Sequence, residues 1–133
     1  MKHVLVVEDD PINAILFERL LERRGGYRVT HTESPEEVFR HAREGIDLIV
    51  LDVSLRHAIL EGRPVGGVEI CRRLKADPAT AAIPVILATA HAMRGDEENL
   101  IAESGAEAYV AKPIEDHGAF IDQVQRIMKA EAA

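Results

Sequence analysis

Continuous apolar runs alternate along this chain with stretches whose apolar positions recur every three or four residues. The first run, His3–Val7, is short, rich in β-branched residues and stops at charge, so it predicts a buried strand. Ile12, Ile15, Leu16 and Leu20 follow at helical spacing, and that helix is expected to stop at Gly25-Gly26, a C-cap signal. Residues 27–31 alternate in character and predict a strand nearer an edge. Ser34-Pro35-Glu36-Glu37 reads as a capping box with proline at the first helical position. The helix it opens carries Val38, Phe39 and Ala42 and ends at Gly45. Residues 48–51 are apolar throughout, which predicts a central strand covered on both faces and ending at Asp52. Residues 68–74 have helical spacing. Residues 84–88 and 107–111 form two further strands, ending at Thr89 and at Lys112-Pro113. A last amphipathic helix shows Phe120, Val124, Ile127 and Met128, and residues 129–133 read as its fraying end.

The pattern is β-α repeated about five times, which argues an α/β fold with a doubly wound parallel sheet and helices on both faces. Each crossover should be right-handed. No linker, repeat or low-complexity tract interrupts the 133 residues, so a single domain over residues 1–133 is expected. Aromatic residues make up 4% and Trp is absent, so the core is Val, Ile, Leu and Ala.

Charge and cysteine narrow the function classes. The net charge of −7 provides no basic footprint for nucleic acid. Cys71, the only cysteine, lies among apolar neighbours at helical spacing and reads as a buried structural thiol in a reducing compartment. No apolar run is long enough to span a membrane, and Met1-Lys2-His3 leads directly into a strand without a signal peptide. The protein is expected in the cytoplasm.

Function in open α/β sheets collects in the crevice outside the carboxyl ends of the strands. The residues that follow each run therefore matter: Glu8-Asp9-Asp10 after the first, Asp52 after the third, Thr89-Ala90 after the fourth and Lys112-Pro113 after the fifth. Two carboxylates about 4 Å apart at an effective dielectric of about 20 repel by roughly 4 kcal/mol. A cluster of Glu8, Asp9 and Asp52 must protonate, pair or bind a cation. Carboxylates with few other ligands suit Mg²⁺, and the Cys/His spacing of a zinc site is absent. For Asp9 and Asp10 there is a competing role, as N-cap and first-turn charge of the following helix.

These residues resemble the receiver domain of two-component response regulators over nearly the whole chain. Residues 6–11, Val-Val-Glu-Asp-Asp-Pro, look like that family's acidic pair after the first strand, and Asp52 looks like its phosphoacceptor. Thr89-Ala90 resemble the switch hydroxyl and its small neighbour, Tyr109 the switch aromatic, and Lys112-Pro113 the family lysine with a cis proline. Residues 92–98 further resemble the single-domain regulators of the DivK type, themselves CheY-like. The resemblance implies a flavodoxin-like sheet of five strands in the order 2-1-3-4-5. It implies a histidine kinase or histidine phosphotransfer protein as phosphodonor to Asp52. Mg²⁺ (or Mn²⁺) would be held by Glu8, Asp9, Asp52 and the backbone carbonyl of Ser54. Lys112 would neutralise charge on the transferring group, Thr89 would bind the new phosphate, and Tyr109 would turn inward behind it. Output would then pass to a downstream protein target; oligomeric state is left open.

One stretch departs from that pattern. Position 56, where receivers usually carry proline, is Arg, and the equivalent glycine is not reached until Gly66 or Gly67. The loop from Leu55 to Gly66 is longer by about seven residues, and long loops over sites are often functional. The expectation is that it covers the phosphate, slows hydrolysis or touches a partner, with Arg56, His57 and Arg63 adding positive charge there; a solvated, inert excursion is the alternative. Ser54 and His91, flanking the acceptor and the switch hydroxyl, would tune water access and favour a long-lived phosphate. Two other classes fit less well. An Mg²⁺-dependent phosphohydrolase needs a general acid where this chain has Ser54, and a pseudo-receiver interaction module would lack the site residues present here.

Overall fold

A computed structural model describes residues 1–90 and 96–132. Five parallel strands, β1 (His3–Val7), β2 (Arg28–Thr32), β3 (Leu48–Asp52), β6 (Val85–Thr89) and β7 (Ala108–Ala111), form one sheet in the order β2-β1-β3-β6-β7. Helices α1 (Pro11–Arg19), α2 (Pro35–Gly45), α3 (Gly67–Ala76), α4 (Asp96–Ser104) and α5 (His117–Ala132) connect or follow them. The expected doubly wound sheet is present, with strand ends displaced from the predicted ones by about one residue. α5 extends to Ala132, in keeping with the high helix propensity of Ala.

Alternation along the central strands explains the layers. Leu5, Val7, Ile49, Leu51, Val85 and Leu87 face a core shared with Val38 and Ala42 of α2 and Ile70 and Leu74 of α3. Val4, Val6, Leu48, Val50, Ile86 and Ala88 face the opposite core, with Phe17, Phe120 and Val124 from α1 and α5. Because both faces are covered, β1, β3 and β6 read as unbroken apolar runs. Cys71 is fully buried, and burial pushes its thiol up to about 11, as befits a packing residue.

Local chemistry sets the connections. Asp10 caps α1, its Oδ1 accepting from the Ile12 N–H at 2.9 Å. α1 does not run on regularly to Gly25: Leu20–Arg24 widen into a π-turn, which lets the adjacent Leu20 and Leu21 both be buried. The capping box at Ser34 is half formed. Ser34 Oγ accepts from the Glu37 N–H at 3.4 Å, but the Ser34 N–H goes to Thr32 Oγ1 at 3.1 Å and Glu37 pairs with Arg40.

The long segment after β3 is not an open loop. It folds into an antiparallel hairpin of β4 (Ile59–Leu60) and β5 (Arg63–Pro64), turned by Glu61 and Gly62 at φ of 55° and 78°. Positive φ at both central residues is the geometry that suits a two-residue hairpin. Leu55, Ala58, Leu60 and Val65 are buried in the α2/α3 core, so the segment is anchored. It returns to the sheet at Gly67, where any Cβ would lie 2.2 Å from the Asp52 carbonyl oxygen. Gly67 rather than Gly66 is the glycine this close approach requires.

Candidate functional site

Glu8, Asp9 and Asp52 converge because β1 and β3 are neighbours in register, Val7 pairing with Leu51 one step before each strand ends in acid. Lys112 follows the outermost strand, β7, and reaches across. Its Nζ lies 2.9 Å from Glu8 Oε1 and 3.0 Å from Asp52 Oδ1. Glu8 and Asp52 are 1% and 2% exposed, so the lysine bridges two buried carboxylates. The Ser54 N–H donates to Asp52 Oδ1 at 3.0 Å. The Lys112–Pro113 peptide bond is cis.

The electrostatics separate two adjacent acids. Burial, reinforced by a hydrogen bond to Asp52 and opposed by Lys112, pushes the Glu8 carboxyl up to about 7. For Asp9 burial works in the same upward direction, but the Arg56 N–H, at 2.8 Å from Oδ2, and hydrogen bonding to Asp52 outweigh it and hold the carboxyl below its ordinary value. Burial also opposes the charge of Lys112, yet its contacts with Glu8 and Asp52 win and raise its pKa. Pairing with Lys112 and the raised pKa of Glu8 both relieve like charge in the cluster.

A cleft of about 460 Å³ opens over these groups, lined by Glu8, Asp9, Asp52, Ser54, Arg56 and Lys112 among others. One carboxylate oxygen from each of Glu8, Asp9 and Asp52 lies within 4.8 Å of the others. Three hard oxygen donors at that spacing fit a small divalent cation such as Mg²⁺ or Mn²⁺, which keeps waters in its shell. A second cleft of about 460 Å³ runs along β7 and α5, and Lys112 lines both.

The other predicted positions are distributed as follows. Thr89 is buried at the end of β6, beside Ala90, which lines the cleft. Tyr109 lies on β7, 37% exposed, and its carbonyl accepts from Gln123 Nε2 at 3.1 Å. Arg56 and His57 line the cleft, whereas Arg63 lies 4.0 Å from Glu69 of α3. Of the three cations expected to add positive charge beside the site, Arg56 and His57 thus do so at the cleft, while the hairpin, packing on α2 and α3, carries Arg63 towards Glu69. His91 and the start of the DivK-like run at residues 92–95 lie outside the described residues. Sequence reading missed His31, whose Nε2 is 2.6 Å from the Glu8 carbonyl oxygen. Its position near the end of β2, on the same rim, was the available signal. It also missed the Arg56 amide, which no side-chain pattern marks.

Comparison with known proteins agrees with this geometry. The family described as the response regulator receiver domain matches residues 4–125. The chain is 43% identical over 114 residues to the polar-differentiation response regulator DivK of Brucella ovis, covering 85% of each chain. Among solved structures it is similar to the receiver domain of a sensor histidine kinase from Pseudomonas aeruginosa with a magnesium ion coordinated in its active-site cleft. That match has 30% identity and a TM-score of 0.74 and covers 99% of this chain and 98% of the other. It is also similar to the signal receiver domain of a signal transduction histidine kinase from Syntrophus aciditrophicus, with 29% identity, a TM-score of 0.80 and coverage of 98% and 92%.

Proposed function

This chain belongs to the response regulator receiver family, and from that membership we propose that it is a stand-alone phosphorylation switch with Asp52 as the phosphoacceptor. The observation that carries the reading is the bridge from Lys112 to both Glu8 and Asp52 at the mouth of a carboxylate-lined cleft. A carboxylate oxygen of Asp52 attacks the phosphorus of a phosphohistidine on a histidine kinase or histidine phosphotransfer protein. The P–N bond breaks, the imidazole leaves and an acyl phosphate forms. Lys112 stabilises charge on the transferring oxygens. Asp9 and Asp52, with Glu8 and the Ser54 carbonyl, would hold Mg²⁺ (or Mn²⁺), which when bound supplies further charge neutralisation. Ile12 and Ile15, 79% and 48% exposed on α1 beside the cleft, offer an apolar patch for a docking donor.

Thr89 then binds the new phosphate, and Tyr109 leaves its exposed position on β7 to remodel a surface for a downstream protein. The whole chain acts as one receiver domain, catalysing its own phosphorylation and slow dephosphorylation rather than turning over a metabolite. A cytoplasmic setting fits the buried, unpaired Cys71. The test is incubation with acetyl phosphate and Mg²⁺ followed by intact-mass measurement. Wild type should gain one phosphoryl group, EDTA should stop the reaction, and Asp52→Ala should gain none. The same adduct on Asp52→Ala would sink the assignment.

A further inference from the structure

We propose that the inserted segment is a positioning element of the metal site, acting through the backbone N–H of Arg56, which holds the Asp9 carboxylate ready for the cation. The inference rests on the proposed metal-dependent reading of the cleft and adds a role for residues that reading does not use. Arg56 N–H donates to Asp9 Oδ2 at 2.8 Å, across 47 positions of sequence. Asp9 is the most exposed of the three clustered carboxylates, so it has the most rotamer freedom to lose when a cation binds. A donor fixed on one oxygen removes part of that loss beforehand.

The donor itself is fixed by burial. Leu55 on one side of Arg56 and Ala58 on the other are 9% and 6% exposed, and Leu60 and Val65 tie the hairpin into the same core at 8% and 5%. The Val65 N–H closes the segment onto the Ala58 carbonyl at 3.0 Å. Receivers that carry proline at this position have no N–H to give. The substitution to Arg therefore matters here through its main chain, and its guanidinium is dispensable for this role. Arg56 is a positioning residue.

Isothermal titration with Mg²⁺ of wild type, Arg56→Ala and Arg56→Pro separates amide from side chain. Arg56→Ala keeps the N–H and should bind within about twofold of wild type. Arg56→Pro deletes it and should bind about tenfold or more weakly, the range expected for loss of an outer-shell partner. Equal affinity of Arg56→Pro and wild type overturns the proposal, as does an Arg56→Ala variant as weak as Arg56→Pro. No Mg²⁺ binding by wild type overturns the metal reading itself, and the proposal with it. Hydrogen exchange gives a check that leaves position 56 intact. Asp9→Ala should speed exchange of the Arg56 amide about tenfold, the effect of losing a bond to a charged acceptor, while the Val65 amide is unchanged. Exchange at Arg56 that does not respond to Asp9→Ala also overturns the proposal.

Discussion

Glu8 and Asp9 are consecutive residues at the end of one strand, yet they belong to two different halves of the site. The inner half is Glu8, Lys112 and Asp52, buried, cross-linked by the lysine and assembled from three strand ends. The outer half is Asp9, half-exposed and tied to the hairpin segment by the Arg56 main-chain N–H. The split arises just past the end of β1, where Glu8 is buried beside Lys112 and Asp9 is half-exposed. The consequence is electrostatic. Burial drives the inner acid up to about 7, while hydrogen bonding holds the outer acid below its ordinary value. Burial thus favours the protonated form of Glu8, and hydrogen bonding favours the ionised form of Asp9.

Removing the lysine should break the comparison most severely. Lys112→Met leaves Glu8 and Asp52 buried with no cation, and breaking such a pair from one side costs about 3–5 kcal/mol. The loss should be large at pH 8 and much smaller at pH 5.5, where Glu8 takes a proton. Acetyl phosphate labelling of Asp52 should fall about 100-fold or more, for want of charge stabilisation on the transferring group. Urea melts at the two pH values and intact-mass time courses check both parts. A variant equally stable at the two pH values relative to wild type would mean that the inner half is not coupled.

The outer acid is expected to fail differently. Asp9→Asn should weaken Mg²⁺ binding about 100-fold without raising the melting temperature of the metal-free protein. A carboxyl held below its ordinary pKa favours the folded state when ionised, so neutralising it relieves nothing. Titration calorimetry and a melt in EDTA are sufficient. Clear stabilisation by Asp9→Asn in EDTA would show that repulsion is shared rather than confined to Glu8.

How much of this was legible depends on the kind of signal. The strands were read correctly because residues 48–51 and 85–88 are apolar on both faces, a pattern few other elements share. The rim residues followed from the strands, since each run ends in its functional group. The partition between Glu8 and Asp9 was not legible, because it depends on a lysine 104 positions away and on an amide. The hairpin was hidden for local reasons: each strand is two residues long, one contains Pro64, and Glu61 is an unusual residue at positive φ. The π-turn left only the adjacency of Leu20 and Leu21 as a trace.

The pH dependence of the inner acid supplies a sharper, more moderate test. Glu8 is raised from its ordinary value to about 7, so its contribution to stability is full at low pH and lost as pH rises from about 4.5 through 7. In the same window Asp9, lowered, is ionised in both folded and unfolded states and contributes a constant. Lys112, raised, stays charged throughout. His3 works the other way: burial, with Arg28 and His41, lowers its pKa, so the folded state gains stability as pH rises from the lowered value to the ordinary histidine value, and the gain is complete above it. Wild type and Glu8→Gln share His3, and their difference isolates Glu8. In EDTA, Glu8→Gln should be about as stable as wild type at pH 5 and more stable by about 1–2 kcal/mol at pH 8. A pH-independent difference would show that the Glu8 carboxyl does not titrate there.

The smallest effect expected is at the tip of the hairpin, and it separates the anchored segment from its turn. Glu61 sits at φ 55°, a region where Asn is far better tolerated than Glu, and Gly62 follows at φ 78°. Glu61→Asn creates the favoured two-residue turn at the cost of the Arg73–Glu61 pair at 2.9 Å. Glu61 is 65% exposed along its side chain, so that pair is worth little, and Arg73 retains Glu69 at 3.3 Å. The turn preference should prevail, giving a gain of about 0.3–1 kcal/mol in a thermal melt. Mg²⁺ affinity should not move, because the Arg56 amide is set by Leu55 and Ala58 at the base of the segment rather than by the tip. A change in Mg²⁺ affinity with Glu61→Asn would mean that strain in the turn is transmitted along β4 to Asp9, and that the hairpin and the outer half of the site move as one unit.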